Sequence, residues 1–174
     1  PVRDTPLSDG DGDAIFVTGL TGSLTVNGGT ISNTGGHAVD LRNASNVTLA
    51  NLALSGTKAG AIQGVSVSGF SLVDSSITTF GDEVDNDASG NEVTEAALRF
   101  RDLSGTASVR RTTIVNDGTF VVTQYPGGPP NRGLELFNRG VSLTLTVAGT
   151  TFDRISNDAI VASAPVVCEL PAAH

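Results

Sequence analysis

A repeat of about 23 residues, marked by apolar side chains, runs through this 174-residue chain and constrains its fold more than any other feature. Ile31 is followed 23 residues later by Leu54, and Val39 is followed 23 residues later by Ile62. A fixed period of this length is typical of a solenoid, in which each repeat packs only against its neighbours. The chain is therefore predicted to stack short repeats that bury their apolar side chains against one another.

Aligned repeats predict three ladders of strands, with the marked residues about 4.8 Å apart from one repeat to the next. The first ladder carries Ile15, Val39, Ile62, Leu98, Leu134 and Ile160. The second has two inward columns, Leu24, Val47, Phe70, Ala107, Leu143 and Val26, Leu49, Leu72, Val109, Leu145. The third carries Ile31, Leu54, Ile77, Ile114 and Phe152. Apolar and polar residues alternate around these marks, which is the period of a β-strand.

Short phrases open two of the first-ladder strands, Gly36-His37-Ala38-Val39 and Asn157-Asp158-Ala159-Ile160. These phrases, with the period, resemble the repeats of right-handed parallel β-helices in bacterial secreted and cell-surface proteins, a pectate-lyase-like architecture. The resemblance covers about residues 12–163. It implies an all-β chain folded as a right-handed three-stranded parallel β-helix solenoid, with about five coils of the 23-residue period. Residues 1–174 are expected to form a single domain in which 164–174 is a tail.

Two insertions interrupt the regular spacing between the third ladder and the next first-ladder strand. That spacing is 8 residues from Ile31 to Val39, but 21 from Ile77 to Leu98 and 20 from Ile114 to Leu134. The insertions, at about 80–95 and 117–132, leave the same corner of adjacent coils, so they are expected to lie side by side. Extra loop length on one edge of a regular scaffold is where function tends to collect.

The first insertion is acidic, with Asp82, Glu83, Asp85 and Asp87 within six residues. Carboxylate oxygens in a flexible loop suit Ca²⁺, although the spacing matches no defined calcium loop. The alternative is a loop that only keeps the protein soluble.

A second acidic phrase, Asp9-Gly10-Asp11-Gly12-Asp13, looks like the start of a calcium loop. It lacks the glycine and the final glutamate that such a loop needs, because Ala14 and Leu20 stand at those positions. Two interpretations therefore remain open. Asp9, Asp11 and Asp13 bind calcium weakly, or, more simply, the segment forms a turn before the first strand.

The second insertion combines an apolar run with Tyr125 and ends near Arg132. Tyr125 offers a stacking face and Arg132 a planar set of donors, so these two residues, with Arg99 and Glu135 on adjacent coils, are candidate binding residues. The alternative is that this loop packs back on the flank of the coils.

Residues that point outward from the first ladder form two columns. One holds Phe16, Asp40, Gln63, Arg99, Glu135 and Val161, and the other holds Thr18, Arg42, Arg101 and Phe137. Arg99 and Glu135 are one coil apart and are expected to join a solvated ladder of ion pairs. Asp40 and Glu135 are three coils apart, about 14 Å, which is too far for the carboxyl pair of an inverting hydrolase. No catalytic residue is predicted, and a polysaccharide lyase or hydrolase is the second choice.

Composition excludes several partners. The net charge is −8 and Lys58 is the only lysine, so binding to a phosphate backbone is disfavoured. No stretch is long and apolar enough to span a membrane. Cys168 is the only cysteine, so no disulfide can form within the chain.

These features predict a structural or adhesive β-helix segment of an extracellular bacterial surface protein that presents two adjacent corner loops. A carbohydrate-active or carbohydrate-binding domain is one alternative, with polysaccharide as the partner. A filament subunit that stacks on further copies through its open ends is another. No cofactor is expected apart from Ca²⁺.

Overall fold

The computed structural model describes residues 12–81, 95–116 and 131–163, and the backbone of 167–169. The regular structure of these residues consists of fifteen β-strands, and the chain is all-β with parallel sheets. Sheet A contains β1 (Ile15–Thr18), β3 (Val39–Arg42), β5 (Ile62–Val65), β8 (Ala96–Arg101), β11 (Arg132–Phe137) and β14 (Ile160–Ser163). Sheet B contains β2 (Leu24–Ser32), β4 (Ser45–Thr57), β6 (Ser68–Val73), β7 (Ser76–Phe80), β9 (Ser104–Arg110), β10 (Thr113–Val115), β12 (Leu143–Ala148), β13 (Thr151–Asp153) and β15 (Val167–Glu169).

Strands of sheet A lie in the order β1, β3, β5, β8, β11, β14, and every pairing is parallel. Val39 is opposite Ile62, and Leu98 is opposite Leu134, as the first predicted ladder requires. The third ladder is also confirmed, since Ile114 lies between Ile77 and Phe152. The apolar period therefore predicts the register of both ladders correctly.

The second ladder is correct up to Ala107 and wrong at its last step. Ala107 is opposite Leu145, whereas the sequence alignment places it opposite Leu143, which instead faces Gly105. The error is two residues, and a shift of two keeps every side chain on the same face of the strand. Alternation of apolar and polar residues cannot detect such a shift. The turn between β11 and β12 determines it.

Both sheets enclose one apolar core. Its members are mostly leucine, isoleucine, valine and alanine, and most are less than 4% exposed. Phe70 of β6 and Phe100 of β8 bring two aromatic rings together across the core, with ring centroids 4.7 Å apart and planes tilted by 58°. Small and β-branched side chains suit this core because closely paired sheets leave little room for large rings.

Turns between the sheets repeat from strand to strand and use the left-handed backbone region. Asn43, Ser66 and Asp102 follow β3, β5 and β8, and their φ values are 50°, 54° and 56°. Asparagine and aspartate tolerate this region better than most residues, which accounts for their frequency at the turns. Each turn residue donates its N–H to the next strand of sheet A, as Asn43 does to the carbonyl of Val65 (2.9 Å). The turns therefore fix where each strand of sheet A ends.

Gly64 is required where β5 passes the ring of Phe100. A methyl group added at Gly64 would lie closer to that ring than van der Waals contact allows. We expect Gly64→Ala to lower the free energy of unfolding by about 1–3 kcal/mol, because the ring must move within a packed core. Gly22→Ala is the matched control, since nothing lies within 4 Å of the added methyl. Equal stabilities of the two variants in urea denaturation would contradict this packing.

The remaining predicted segments fall largely outside the described residues. Most of both insertions does so, and the structure describes them only at their ends, where Gly81 follows β7 and Asn131 precedes β11. In the predicted tail, the backbone of β15 pairs in parallel with β12. None of the described segments forms a helix with the length and apolar character that crossing a bilayer requires.

Candidate functional site

The outer face of sheet A carries arginines at positions next to core residues along its strands. In β8, Phe100 is 1% exposed in the core, while Arg99 and Arg101 on either side of it point outward. Arg101 lies in a row with Val65 of β5 and Phe137 of β11, its register partners. The core side chain of each strand thus fixes the position of the outward residues next to it.

A cavity of about 610 Å³ opens on this face, and we call it the arginine groove. Its lining consists of Arg42, Asn43, Gln63, Gly64, Val65, Arg99, Arg101, Arg132, Glu135 and Phe137. The groove lies over β5, where Gln63 and Val65 are shorter than the arginines on the strands to either side. The sequence of β5 therefore creates the depression.

Glu135 is the buried acidic centre of the groove. Its side chain is 1% exposed, and one carboxylate oxygen accepts a hydrogen bond from Nε of Arg99 at 2.6 Å. The other oxygen accepts a hydrogen bond from Nη1 of Arg132. The predicted pair between Arg99 and Glu135 does form, but the expectation of a solvated charge ladder is wrong here. The two arginines cover the carboxylate because Arg99 is its register partner on β8 and Arg132 lies three residues before it on β11.

Asp40 is also buried, although it points outward from β3. Arg42 donates to Oδ2 of Asp40 from Nε (3.0 Å) and from Nη2 (2.8 Å), and the same guanidinium lies 5.4 Å from the ring centre of Phe16. The hydrogen bonds from Arg42 to Asp40 raise the pKa of the guanidinium above its usual value. Arg42 places a positive charge at one end of the groove. Oδ1 of Asp40 is buried and has no hydrogen-bond partner among the described residues.

Arg101 differs from the other groove arginines. Within the described part of the chain, no ion pair or hydrogen bond is formed by its guanidinium. The neighbouring side chain, Phe137, is 40% exposed, one of two large apolar side chains exposed to this degree in the described residues. The groove thus places a free planar cation next to an accessible aromatic face.

The charge of the groove is opposite to that of the whole chain. Among the described residues, four arginines line the groove and the carboxylates paired with them are Asp40, Glu135 and Asp158, so positive charges outnumber negative ones by one. The chain as a whole carries −8. Because surface charges attract oppositely charged ligands over short distances, the described part of this face is suited to an anion.

The predicted calcium residues are mostly outside the described residues, namely Asp9, Asp11, Asp82, Glu83, Asp85 and Asp87. Asp13 is described, and its carboxylate accepts hydrogen bonds from the backbone N–H of His37 (2.8 Å) and from the His37 ring (3.2 Å). Across the described segments, no group of three or more histidine, cysteine, aspartate or glutamate side chains could hold a metal ion.

Three of the four predicted binding residues meet in the arginine groove, namely Arg99, Arg132 and Glu135. The fourth, Tyr125, lies outside the described residues. Arg42, Arg101 and Phe137 are groove residues that the sequence analysis places in an outward column without assigning them to a site. The sequence does contain an indication of this site, because an outward column with two arginines and an aromatic residue is unusual in an acidic chain.

The described groove offers no pair of carboxyl groups for glycoside hydrolysis. Asp40 and Glu135 are three strand spacings apart in register, about 14 Å, and each is held by arginine. Comparisons with protein-family models, with curated proteins and with solved structures found no match to this chain.

Proposed function

We propose that the chain is a right-handed three-stranded parallel β-helix that serves as an adhesive segment of an extracellular bacterial surface protein. Each strand of sheet A is followed along the chain by one or two strands of sheet B, which supports this fold, as does the offset of 23 residues between partners such as Val39 and Ile62. A right-handed path is the general preference for parallel strands joined by crossovers. In this proposal the rigid stack of strands holds the binding face in place.

The proposed ligand is an acidic saccharide bound in the arginine groove. The observation that carries the proposal is Arg101, a guanidinium without a partner among the described residues, beside the exposed ring of Phe137. A guanidinium binds a carboxylate or sulfate group through two parallel hydrogen bonds, and an aromatic ring stacks on the apolar face of a sugar. Amide side chains in the groove, such as Gln63, can bind hydroxyl groups.

In this proposal the groove binds the saccharide and does not catalyse a reaction on it. Glu135 has both oxygens engaged by arginine, and Asp40 is covered by Arg42, so neither carboxyl group is placed to transfer a proton to a ligand in the groove. The two corner loops remain a predicted second region of contact with the ligand, and they lie largely outside the described residues. The interactions with the saccharide described above are all made by residues of the groove.

Arg101→Ala tests the site. We expect the unaltered protein to bind polygalacturonate and heparin but not the neutral polymer dextran. Loss of the unpartnered guanidinium should weaken binding to the acidic polymers roughly tenfold, since charged interface arginines contribute on this scale. Isothermal titration calorimetry at fixed ionic strength gives both dissociation constants.

Arg110→Ala is the matched control, because Arg110 is exposed on sheet B and its loss changes the net charge equally. Its binding should stay within about twofold of the unaltered protein. Equal weakening by Arg101→Ala and Arg110→Ala would show that only net charge matters, and it would reject the groove as the site.

A further inference from the structure

The lining of the arginine groove extends across four strands of sheet A. Apart from Asn43 in the turn after β3, the lining residues come from β3, β5, β8 and β11, which span about 14 Å at the usual strand spacing. On β11 the lining also continues along the strand, from Arg132 through Glu135 to Phe137. An elongated ligand that lies across the strands can contact side chains of all four strands, whereas a compact ligand contacts fewer of them.

One row of side chains along this direction alternates between charged and apolar character. In register order the row is Arg42, Val65, Arg101 and Phe137, which we call the alternating row. Neighbours in it are one strand spacing apart, about 4.8 Å, which is close to the advance of a polysaccharide chain per sugar unit. The two arginines are thus about two sugar units apart, with an apolar side chain after each.

From this pattern we propose that the ligand is a linear polysaccharide in which acidic and neutral sugars alternate. The inference rests on the proposed function of the groove and specifies the class of its ligand. Each guanidinium would bind the carboxylate or sulfate of an acidic unit, while Val65 and Phe137 contact the apolar faces of the neutral units. A uniformly acidic polymer would place a desolvated anion against Phe137, which costs free energy.

A nucleic acid fits these observations less well than a polysaccharide. It carries a phosphate on every unit, and its affinity depends on many cationic contacts. The groove has only four arginines, and three of them already have carboxylate partners. The chain's net charge of −8 would repel a dense polyanion outside the groove.

The test compares two acidic polymers of different pattern. Hyaluronan octasaccharide alternates a uronate with a neutral sugar, whereas octagalacturonate carries a carboxylate on every unit. We expect hyaluronan to bind roughly tenfold tighter, despite having half the charge. Affinity for hyaluronan should rise steeply from the disaccharide to the tetrasaccharide and then level off, because the alternating row spans four strands.

Phe137→Lys is designed to reverse this preference. It replaces the half-exposed ring with a cation at the position where the proposed ligand is neutral. Octagalacturonate affinity should rise and hyaluronan affinity should fall, so that the ratio of the two changes by about tenfold or more. Thr113→Lys, on the exposed face of sheet B, adds the same charge away from the groove and should leave the ratio unchanged.

The outcomes separate this inference from the proposed function. Equal binding of the two octasaccharides, or tighter binding of octagalacturonate, would overturn the alternating ligand and leave the acidic-saccharide site intact. Failure of both to bind would overturn both. Tight binding of single-stranded DNA under the same conditions would reject a saccharide ligand. Thermal unfolding of each variant confirms that the folded protein is being compared.

Discussion

Glu135→Gln is expected to destabilise the protein and at the same time to strengthen its binding to acidic saccharides. The carboxylate is 1% exposed and accepts hydrogen bonds from Arg99 and Arg132 on its two oxygens. Glutamine keeps the shape but removes the charge, so both guanidinium groups lose the ion pair with this carboxylate. Because those arginines are partly exposed and can regain water, we expect a loss of about 2–3 kcal/mol in the free energy of unfolding.

The same change makes the groove more positive by one charge. An added unpaired charge close to a bound anion strengthens binding by about 1 kcal/mol at a partly solvated surface. This corresponds to a dissociation constant that is roughly fivefold lower. Urea denaturation and calorimetry with hyaluronan octasaccharide measure the two effects separately. Asp153→Asn is the control, because it removes an exposed carboxylate on β13 of sheet B. If Glu135→Gln weakened both stability and binding, Glu135 would be part of the ligand contact and not a competitor of the ligand.

Phe100→Ala is expected to cause the largest loss of stability among the single substitutions considered. The ring is 1% exposed, packs on Phe70 with centroids 4.7 Å apart, and fills the space beside Gly64. Deleting a buried phenylalanine ring leaves a cavity and costs about 3–5 kcal/mol. The loss should also weaken saccharide binding, since Phe100 holds the positions of Arg99 and Arg101 on β8.

Two comparisons make this prediction specific to the core contact. Phe16→Ala removes a ring that is 54% exposed and lies 5.4 Å from the Arg42 guanidinium, so it should cost less than about 1 kcal/mol. The double variant Gly64→Ala/Phe100→Ala should lose less free energy of unfolding than the two single variants lose together, because the added methyl fills part of the cavity. Additive effects in this double-mutant cycle would mean that Gly64 and Phe100 are not in contact.

The ladder registers show what the sequence could and could not predict. Val39 and Ile62 lie on strands of equal length joined by turns of regular length, so their pairing follows from the 23-residue period. Leu143 follows the turn 138–142, which is longer than the turns after β3, β5 and β8, and its observed pairing lies two residues from the predicted one. Apolar alternation carries information about the face of a strand, but not about shifts of two residues along it.

The sequence predicts which of these residues meet at the site, but it does not predict how deeply they are buried. The outward column predicts that Arg99 and Glu135 meet, because neighbouring strands bring equivalent positions together. It does not predict that Glu135 and Asp40 are buried, since burial depends on arginine side chains that fold over them. The groove itself arises from the short side chains of β5, a feature visible only when four strands are compared side by side.

The proposed saccharide site occupies the outer face of sheet A. Hydrogen exchange of backbone amides can locate it when the exchange is followed by mass spectrometry with and without hyaluronan octasaccharide. Binding in the arginine groove should add protection in peptides that cover 39–42, 62–65, 96–101 and 132–137, which are strands β3, β5, β8 and β11. Protection confined to 82–94 and 117–130, or to sheet B, would contradict it and would place binding elsewhere on the chain.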